Sequence, residues 1–284
     1  MPDDSAPPDV LSEILETKRA EVEAARSSVP LDVLQERIGE LGRPRNFFAA
    51  VTSRQMPGDT RVIAEIKRRS PSAGWMREEY RDDTSFDPVD IARRYRANGA
   101  SAISCLTDET YFGGRLEYIH AIRDAIDLPV LRKDFIIDPY QVWESRAAGA
   151  DAILLIAECL TESMLVDLLI LAHQLQLTTL VETHDMENLL RVRPHVGFPA
   201  RSYMLLGINN RDLRSMSTDL SHTLRMVDLV DDPSILVSES GIGSPDDLRK
   251  LRAQDVRIVL VGESLMRHED PGVALATLLE REVS

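Results

Sequence analysis

Cysteine is nearly absent, with 2 in 284 residues. Cys105 and Cys159 sit in apolar stretches (SAISCLTD and LLIAECL) with no paired spacing and no histidine cluster beside them. That argues against a disulfide framework, a metal site or cysteine catalysis, and fits buried thiols in a reducing cytosol. Basic blocks are missing too. The formal net charge is −14, which argues against nucleic acid or an anionic membrane surface as partner. An anionic small substrate stays compatible, because a pocket can be locally positive on an acidic protein. No long apolar run survives: the stretch 152–175 is broken by Glu158, Glu162 and Asp167, so it does not read as a membrane span. The N-terminal MPDDSAPPDV is acidic and proline-rich, unlike a signal peptide. No histidine belongs to an HxH or HExxH arrangement, and no GxGxxG occurs. No metal and no dinucleotide cofactor is implied.

Lysine is scarce as well, four against 29 arginines. Two of the four, Lys67 and Lys133, stand among arginines in KRR and RK. A chain that prefers arginine for generic charge and keeps lysine there points to a need for lysine itself. Burial can lower a lysine's pKa so that it gives and takes protons, whereas arginine stays charged.

What is present is an alternation. Hydrophobic residues make up 43% and charged residues 28%, enough for a sizeable core in an ordinary globular chain. Eight short apolar runs occur at 62–67, 102–106, 130–133, 152–156, 178–182, 203–209, 235–239 and 258–262. Each is followed by a segment long enough for a helix, such as DPVDIARRYRANG, DPYQVWESRAAG or SPDDLRKLRAQ. Strand–helix alternation of this length implies parallel strands with right-handed crossovers. Eight units favour a closed α/β barrel, a single (βα)8 TIM barrel over residues 62–284. A weak repeat, NGASAIS and AGADAIL, places a capping glycine where a helix turns into a strand. Residues 1–61 read as a helical extension packed on the barrel, with helices in LSEILETKRAEVEAARSS, LDVLQERIGELG and NFFAAVTS. The last of these would set its phenylalanines over one end of the barrel. So short a segment buries too little surface to be expected as an independent domain.

Side chains along a strand alternate with period two. Ile63, Glu65 and Lys67 share a face, as do Leu131 and Lys133, Leu180 and Glu182, Leu205, Gly207 and Asn209, and Val237 and Glu239. Each face starts apolar and becomes polar toward its C-terminal end. If these faces point inward, Glu65, Lys67, Lys133, Glu182, Asn209 and Glu239 gather at the rim where barrel enzymes build active sites. A buried ion network kept only for stability has no reason to choose one end of every strand.

Two glycine turns, SESGIG and VGESLM, follow the last two strands. There, backbone N–H groups of Ser240, Gly241 and Gly262 would suit a phosphate. Glu263 opens a short extra helix, and its side chain is expected to point away from the anion. The loop RRSPSAG offers Ser70 and Ser72 for a carboxylate. Asn209 is followed by Arg211 in a loop whose backbone the asparagine could also satisfy. His184, two residues after Glu182, could line the pocket rim.

At this point a resemblance is legible. IAEIKRRSPSAG, SCLTDETYFGGRLEYI, LPVLRKDFIIDPYQVWESRAAGADAILLI, LVETHD, GINNRDL, VSESGI and VGESLMR resemble, in order and spacing, the indole-3-glycerol-phosphate synthase family. The likeness covers roughly residues 45 to 275. It implies a cytoplasmic, cofactor-free carboxy-lyase of tryptophan biosynthesis. It implies a small phosphorylated anthranilate–ribulose substrate, no nucleic acid or membrane partner, and a monomer or weak homo-oligomer. By resemblance, Lys133 is the general acid and Glu182 its acid/base counterpart. Glu65 and Lys67 orient the substrate and assist dehydration, and Asn209 and Glu239 are polar wall residues. Ser70 meets the substrate carboxylate, with Arg211 at the rim. Phe112, Phe135 and Leu154 make the apolar slot for the anthranilate ring. Ser240, Gly241 and Gly262 bind phosphate, and Leu213 and Glu263 complete the substrate contacts. Two departures stand out, the long loop 75–90 with Arg77 and Arg81, and the extended run 191–203 at the opposite end. Many relatives carry a second enzymatic domain, for which this chain is too short. Two other readings stay open. One is the phosphosugar isomerase that makes this substrate, which resembles a Cys/Asp acid–base design. The other is a non-catalytic barrel that binds a phosphorylated ligand.

Overall fold

The computed structural model describes residues 10–53, 59–211 and 217–282. Eight strands, β1 (Arg61–Ile66), β2 (Ala102–Leu106), β3 (Val130–Lys133), β4 (Ala152–Ile156), β5 (Thr178–Thr183), β6 (Met204–Asn209), β7 (Leu236–Glu239) and β8 (Ile258–Val261), run parallel. They close into a barrel in sequence order, β8 pairing with β1. The (βα)8 expectation holds, and each strand lies within a residue or so of its apolar run.

Three helices come before β1: α1 (Val10–Ser28), α2 (Leu31–Glu40) and α3 (Phe47–Thr52). Phe47 and Val51 of α3 are buried and pack on Ile63, Ala102, Leu131, Ala152 and Leu205. These are residues from the early part of the inward faces, so α3 plugs the bottom of the barrel with apolar surface.

The outer helices include α4 (Pro88–Ala97), α5 (Glu117–Ala125), α6 (Pro139–Ala147), α7 (Glu162–Gln174), α8 (Met186–Val192), α9 (Ser221–Met226), α10 (Pro245–Arg252), α11 (Glu263–Met266) and α12 (Pro271–Leu278). Four begin alike. Asp87, Asp138, Ser244 and Asp270 cap with the side chain, and a proline takes the next position. The cap satisfies amides the helix cannot, and proline has no amide to leave unpaired. At the other end, Gly99 and Gly149 of the repeat adopt φ +98 and +91 just past α4 and α6, the left-handed turn that returns the chain to the next strand.

Loop 75–90 is internally braced. Arg68, buried at its base, donates to Tyr80 O at 2.5 Å and Arg81 O at 3.2 Å. Its guanidinium also lies over Trp75 and Phe86 and pairs with Asp83. The run 191–203 connects α8 to β6, at the end opposite the polar rim.

Candidate active site

The period-two faces do point inward. A cavity of about 510 Å³ opens at the C-terminal ends of the strands, and its wall includes Glu65, Lys67, Lys133, Glu182, Asn209 and Glu239. Lys133 Nζ donates to Glu182 Oε2 at 2.9 Å and to Glu239 Oε2 at 3.0 Å. Lys67 Nζ donates to Glu65 Oε1 at 2.6 Å. Asn209 Nδ2 donates to Glu182 Oε1 at 3.1 Å, while its Oδ1 accepts the Arg211 amide at 3.0 Å. The asparagine thus serves both the site and its own loop.

Two glycines make room for this network. A methyl group on Gly207 would overlap Glu239 Oε1, and one on Gly262 would overlap Glu65 Oε1. Carboxylates this deep fit only where the neighbouring strand carries no side chain.

The charges decide one another's states. Burial disfavours the Lys133 ammonium, but Glu182, Glu239 and Glu65 outweigh it and hold the pKa above its ordinary value. The expectation of a lysine tuned downward by burial is therefore corrected: three carboxylates dominate desolvation. Burial also opposes ionisation of Glu182, yet Lys133 and His184 keep its pKa well below the usual carboxylate value. Glu239 goes the other way, raised by burial and by the Glu182 charge. The two carboxylates flanking one ammonium are thus pushed in opposite directions, Glu182 toward ionisation and Glu239 toward keeping a proton.

Phe112, Phe135 and Leu154 all line the cavity. Phe112 and Phe135 face each other with ring centroids 6.2 Å apart, and Leu154 lies beside them in the wall. Val10, Leu11 and Ile14 of α1 also line the cavity. Sequence reasoning missed these; helical spacing marks a buried face but not the surface it will meet.

The last two loops meet the cavity with Ser240, Gly241, Gly262 and Ser264. Ser240 and Gly241 both take left-handed backbone, φ +65 and +73. Glu263 does not turn away as expected. Its carboxylate stays on the cavity wall, paired with Arg211 at 2.9 Å and Arg267 at 3.0 Å. Those cations, with Lys67, keep its pKa low against burial. Arg211 also reaches Ser72 Oγ at 3.1 Å, joining the loops after β6 and β1. Ser70, largely buried, accepts the Ala73 amide at 3.1 Å and lines the cavity. Leu213 lies outside the described residues.

His184 is more central than its rim placement implied. It is buried beside Glu182 and contacts Glu158. The cysteines stand apart from acid–base work. Cys105 packs between barrel and helices, its thiol pushed up to about 12 by burial, and burial raises Cys159 as well. Among the described residues no cluster of three or more metal-ligating side chains occurs, and no helix is long and apolar enough to cross a membrane.

Comparison with known proteins gives the chemistry a family. The family model described as indole-3-glycerol phosphate synthase matches residues 11–278. A protein of that description from Acidithiobacillus ferrooxidans is 47% identical over 270 residues, covering 95% of this chain and 98% of its own. Another from Burkholderia multivorans is 45% identical over 273 residues, with coverage of 95% and 98%. A solved structure from Aquifex aeolicus VF5 aligns with TM-score 0.60 at 15% identity over 84% of this chain and 100% of that one, a likeness of fold alone. On the family match and these identities across nearly the whole length, the chain belongs to the indole-3-glycerol phosphate synthase family, carboxy-lyases of tryptophan biosynthesis.

Proposed function

We propose that this cavity converts 1-(2-carboxyphenylamino)-1-deoxyribulose 5-phosphate to indole-3-glycerol phosphate, with loss of CO2 and water, through Lys133 as general acid and Glu182 as its acid/base counterpart. The observation that carries the reading is the Lys133 ammonium held between Glu182 and Glu239 at 2.9 and 3.0 Å. An aromatic slot lies in the same wall as two glycine-bearing loops.

The anthranilate ring fits between Phe112, Phe135 and Leu154, and the phosphate against Ser240, Gly241 and Gly262. Glu263, through Arg211 and Arg267, organises the cations beside that anion, and Ser70 takes the substrate carboxylate. As the ring carbon attacks C2, the developing alkoxide is basic enough to take a proton from an ammonium of high pKa. CO2 leaves with its bonding pair returned to the ring, which restores aromaticity. The C2 hydroxyl is then protonated and departs as water, since hydroxide is a poor leaving group, and a carboxylate of the site takes the proton from C1 so that the C1–C2 double bond of the indole forms. Glu65 and Lys67 orient the substrate and assist that step. Glu239 is placed to return a proton to Lys133. The thiol states of Cys105 and Cys159 weigh against the isomerase reading.

The test is indole fluorescence from purified protein and this substrate, with no added metal or nucleotide. Lys133→Met is expected to lower kcat by about a hundredfold or more while circular dichroism stays native. Normal turnover in that variant would defeat the acid assignment.

A further inference from the structure

Glu182 is gripped on both oxygens. Oε2 faces Lys133 at 2.9 Å, and Oε1 lies 3.1 Å from both Asn209 Nδ2 and His184 Nε2. The other ring nitrogen of His184, Nδ1, is 3.2 Å from Glu158 Oε2, and the His184 amide donates to Glu158 Oε1 at 2.8 Å. His222 Nε2 reaches the His184 carbonyl at 2.9 Å. The ring is therefore fixed through its main chain as well as its Nδ1 edge. The sequence places these groups without strain. His184 is the first residue past β5, on the same face as Glu182, and Glu158 sits in the 3-10 turn Ala157–Cys159 that leaves β4, the neighbouring strand.

We propose that Glu158 and His184 form a positioning pair for the ring-closing reaction, a protonated imidazole locked between two carboxylates that keeps Glu182 ionised and aimed at Lys133. The inference rests on the acid/base reading of Glu182. Nδ1 is within hydrogen-bond reach of Glu158, while Nε2 lies 3.1 Å from Glu182 Oε1 out of hydrogen-bond alignment. A neutral imidazole would turn a lone pair toward one of these two carboxylates, so the imidazolium is the form that fits the charges around it. The side chain is almost wholly buried, its ordinary pKa of 6.5 lowered by desolvation but raised further by Glu158 and Glu182, to about 10. The groups facing the cluster are Lys133 from β3, Glu239 from β7, Glu65 from β1 through its charge on Lys133, and Cys159 and Glu158 from the turn after β4. Asn209 from β6 and His222 from α9 complete the set. Lys67 pairs with Glu65, so without the imidazolium Lys133 is left to face both Glu182 and Glu239. The proton held on Glu239 would then be shared with Glu182, and the unlike pair would become alike. His184 thus sets which carboxylate is acid and which is base, without touching the substrate's reacting atoms.

The pair is tested on the full chain by NMR of histidine labelled with 15N in the ring. Both His184 nitrogens are expected to stay protonated to about pH 8. In Glu158→Gln, deprotonation is expected to begin at least about one pH unit earlier than in the parent. His184→Asn is expected to lower kcat about ten- to a hundredfold with KM within about twofold. Its acid limb of kcat should also move up by about one pH unit. Glu158→Asp, which keeps the charge, should recover more activity than Glu158→Gln. A neutral His184 ring at pH 7 overturns the proposal. So does an unchanged kcat, or a lowered kcat with an unmoved pH profile, in His184→Asn; should that variant not fold, an unmoved His184 titration in Glu158→Gln overturns the pair. A parent protein with no turnover of the substrate would sink the Glu182 reading instead, and the NMR titration would still decide the imidazolium.

Discussion

An ammonium enclosed by carboxylates stays charged even where burial opposes it, because Coulomb attraction rises in the same medium that penalises an isolated charge. Lys133 is held by Glu182 and Glu239 in this way, and the arrangement depends on what is missing at Gly207. A methyl there would meet Glu239 Oε1, with Leu180 Cδ1 at 3.3 Å and Glu182 Cα at 3.4 Å leaving little room to yield. Gly207→Ala should therefore push Glu239 off Lys133. It should lower kcat by about tenfold or more and cost about 1–3 kcal/mol of stability, read by steady-state kinetics and urea unfolding. A fully active alanine variant would show that the Glu239 contact is dispensable. This level of the site was legible beforehand, because period two assigned Gly207, Asn209 and their neighbours to one face. The His184–Glu158 contact was not. It joins residues 26 apart through a 3-10 turn, and a turn has no sequence period that would tell which way Glu158 points.

Among the elements, α1 shows why a helix can be read while its docking cannot. Its buried positions, Ile14, Lys18 and Val22, recur at the spacing of one helical face, and one of them is a lysine. Lys18 Nζ meets Asp108 Oδ2 at 3.0 Å and Asp134 Oδ1 at 2.9 Å, both carboxylates buried in the loops after β2 and β3. Asp108 in turn accepts the amides of Tyr111 and Phe112 at 2.7 and 3.2 Å, so the lysine reaches the segment that carries one wall of the aromatic slot. Neighbouring arginines mark out Lys67 and Lys133 in the chain, but no local pattern marks Lys18, because its partners lie about 90 and 116 residues away. Lys18→Met removes one partner of a buried network and should cost about 3–5 kcal/mol. It should also raise KM, since Leu11 and Ile14 lose their fixed place in the cavity wall. Urea midpoints and substrate titration report the two effects, and a variant with wild-type KM would limit α1 to a structural role.

For the whole molecule, the buried charges set a pH window of stability. Asp134 is held down to about 2 because Arg132, Lys18 and Thr107 outweigh its burial, against an ordinary 3.8. A depressed carboxylate stabilises the fold above its unfolded pKa, and the contribution is lost as pH falls from about 4 toward 2. His184 works in the opposite sense. Desolvation is outweighed by Glu158 and Glu182, and its pKa is raised from 6.5 to about 10. Its contribution is complete below the unfolded value and drains away as pH climbs from 6.5 toward 10. Glu239, raised from 4.5 to about 8 by burial and by Glu182, binds its proton more tightly in the fold, so its contribution drains away as pH climbs from 4.5 toward 8. Stability should accordingly be greatest near about pH 4 to 4.5, decline as Glu239 loses its proton above that, and decline more steeply above 6.5, where His184 adds its own loss. Urea unfolding at about pH 5.5, 7.5 and 9.5 measures the decline. His184→Asn, less stable than the parent at the lowest of these, should lose less between the first and the last, so the two curves converge. Parallel curves would mean that the imidazole carries no linked proton, and the alkaline loss would then belong to Glu239 alone.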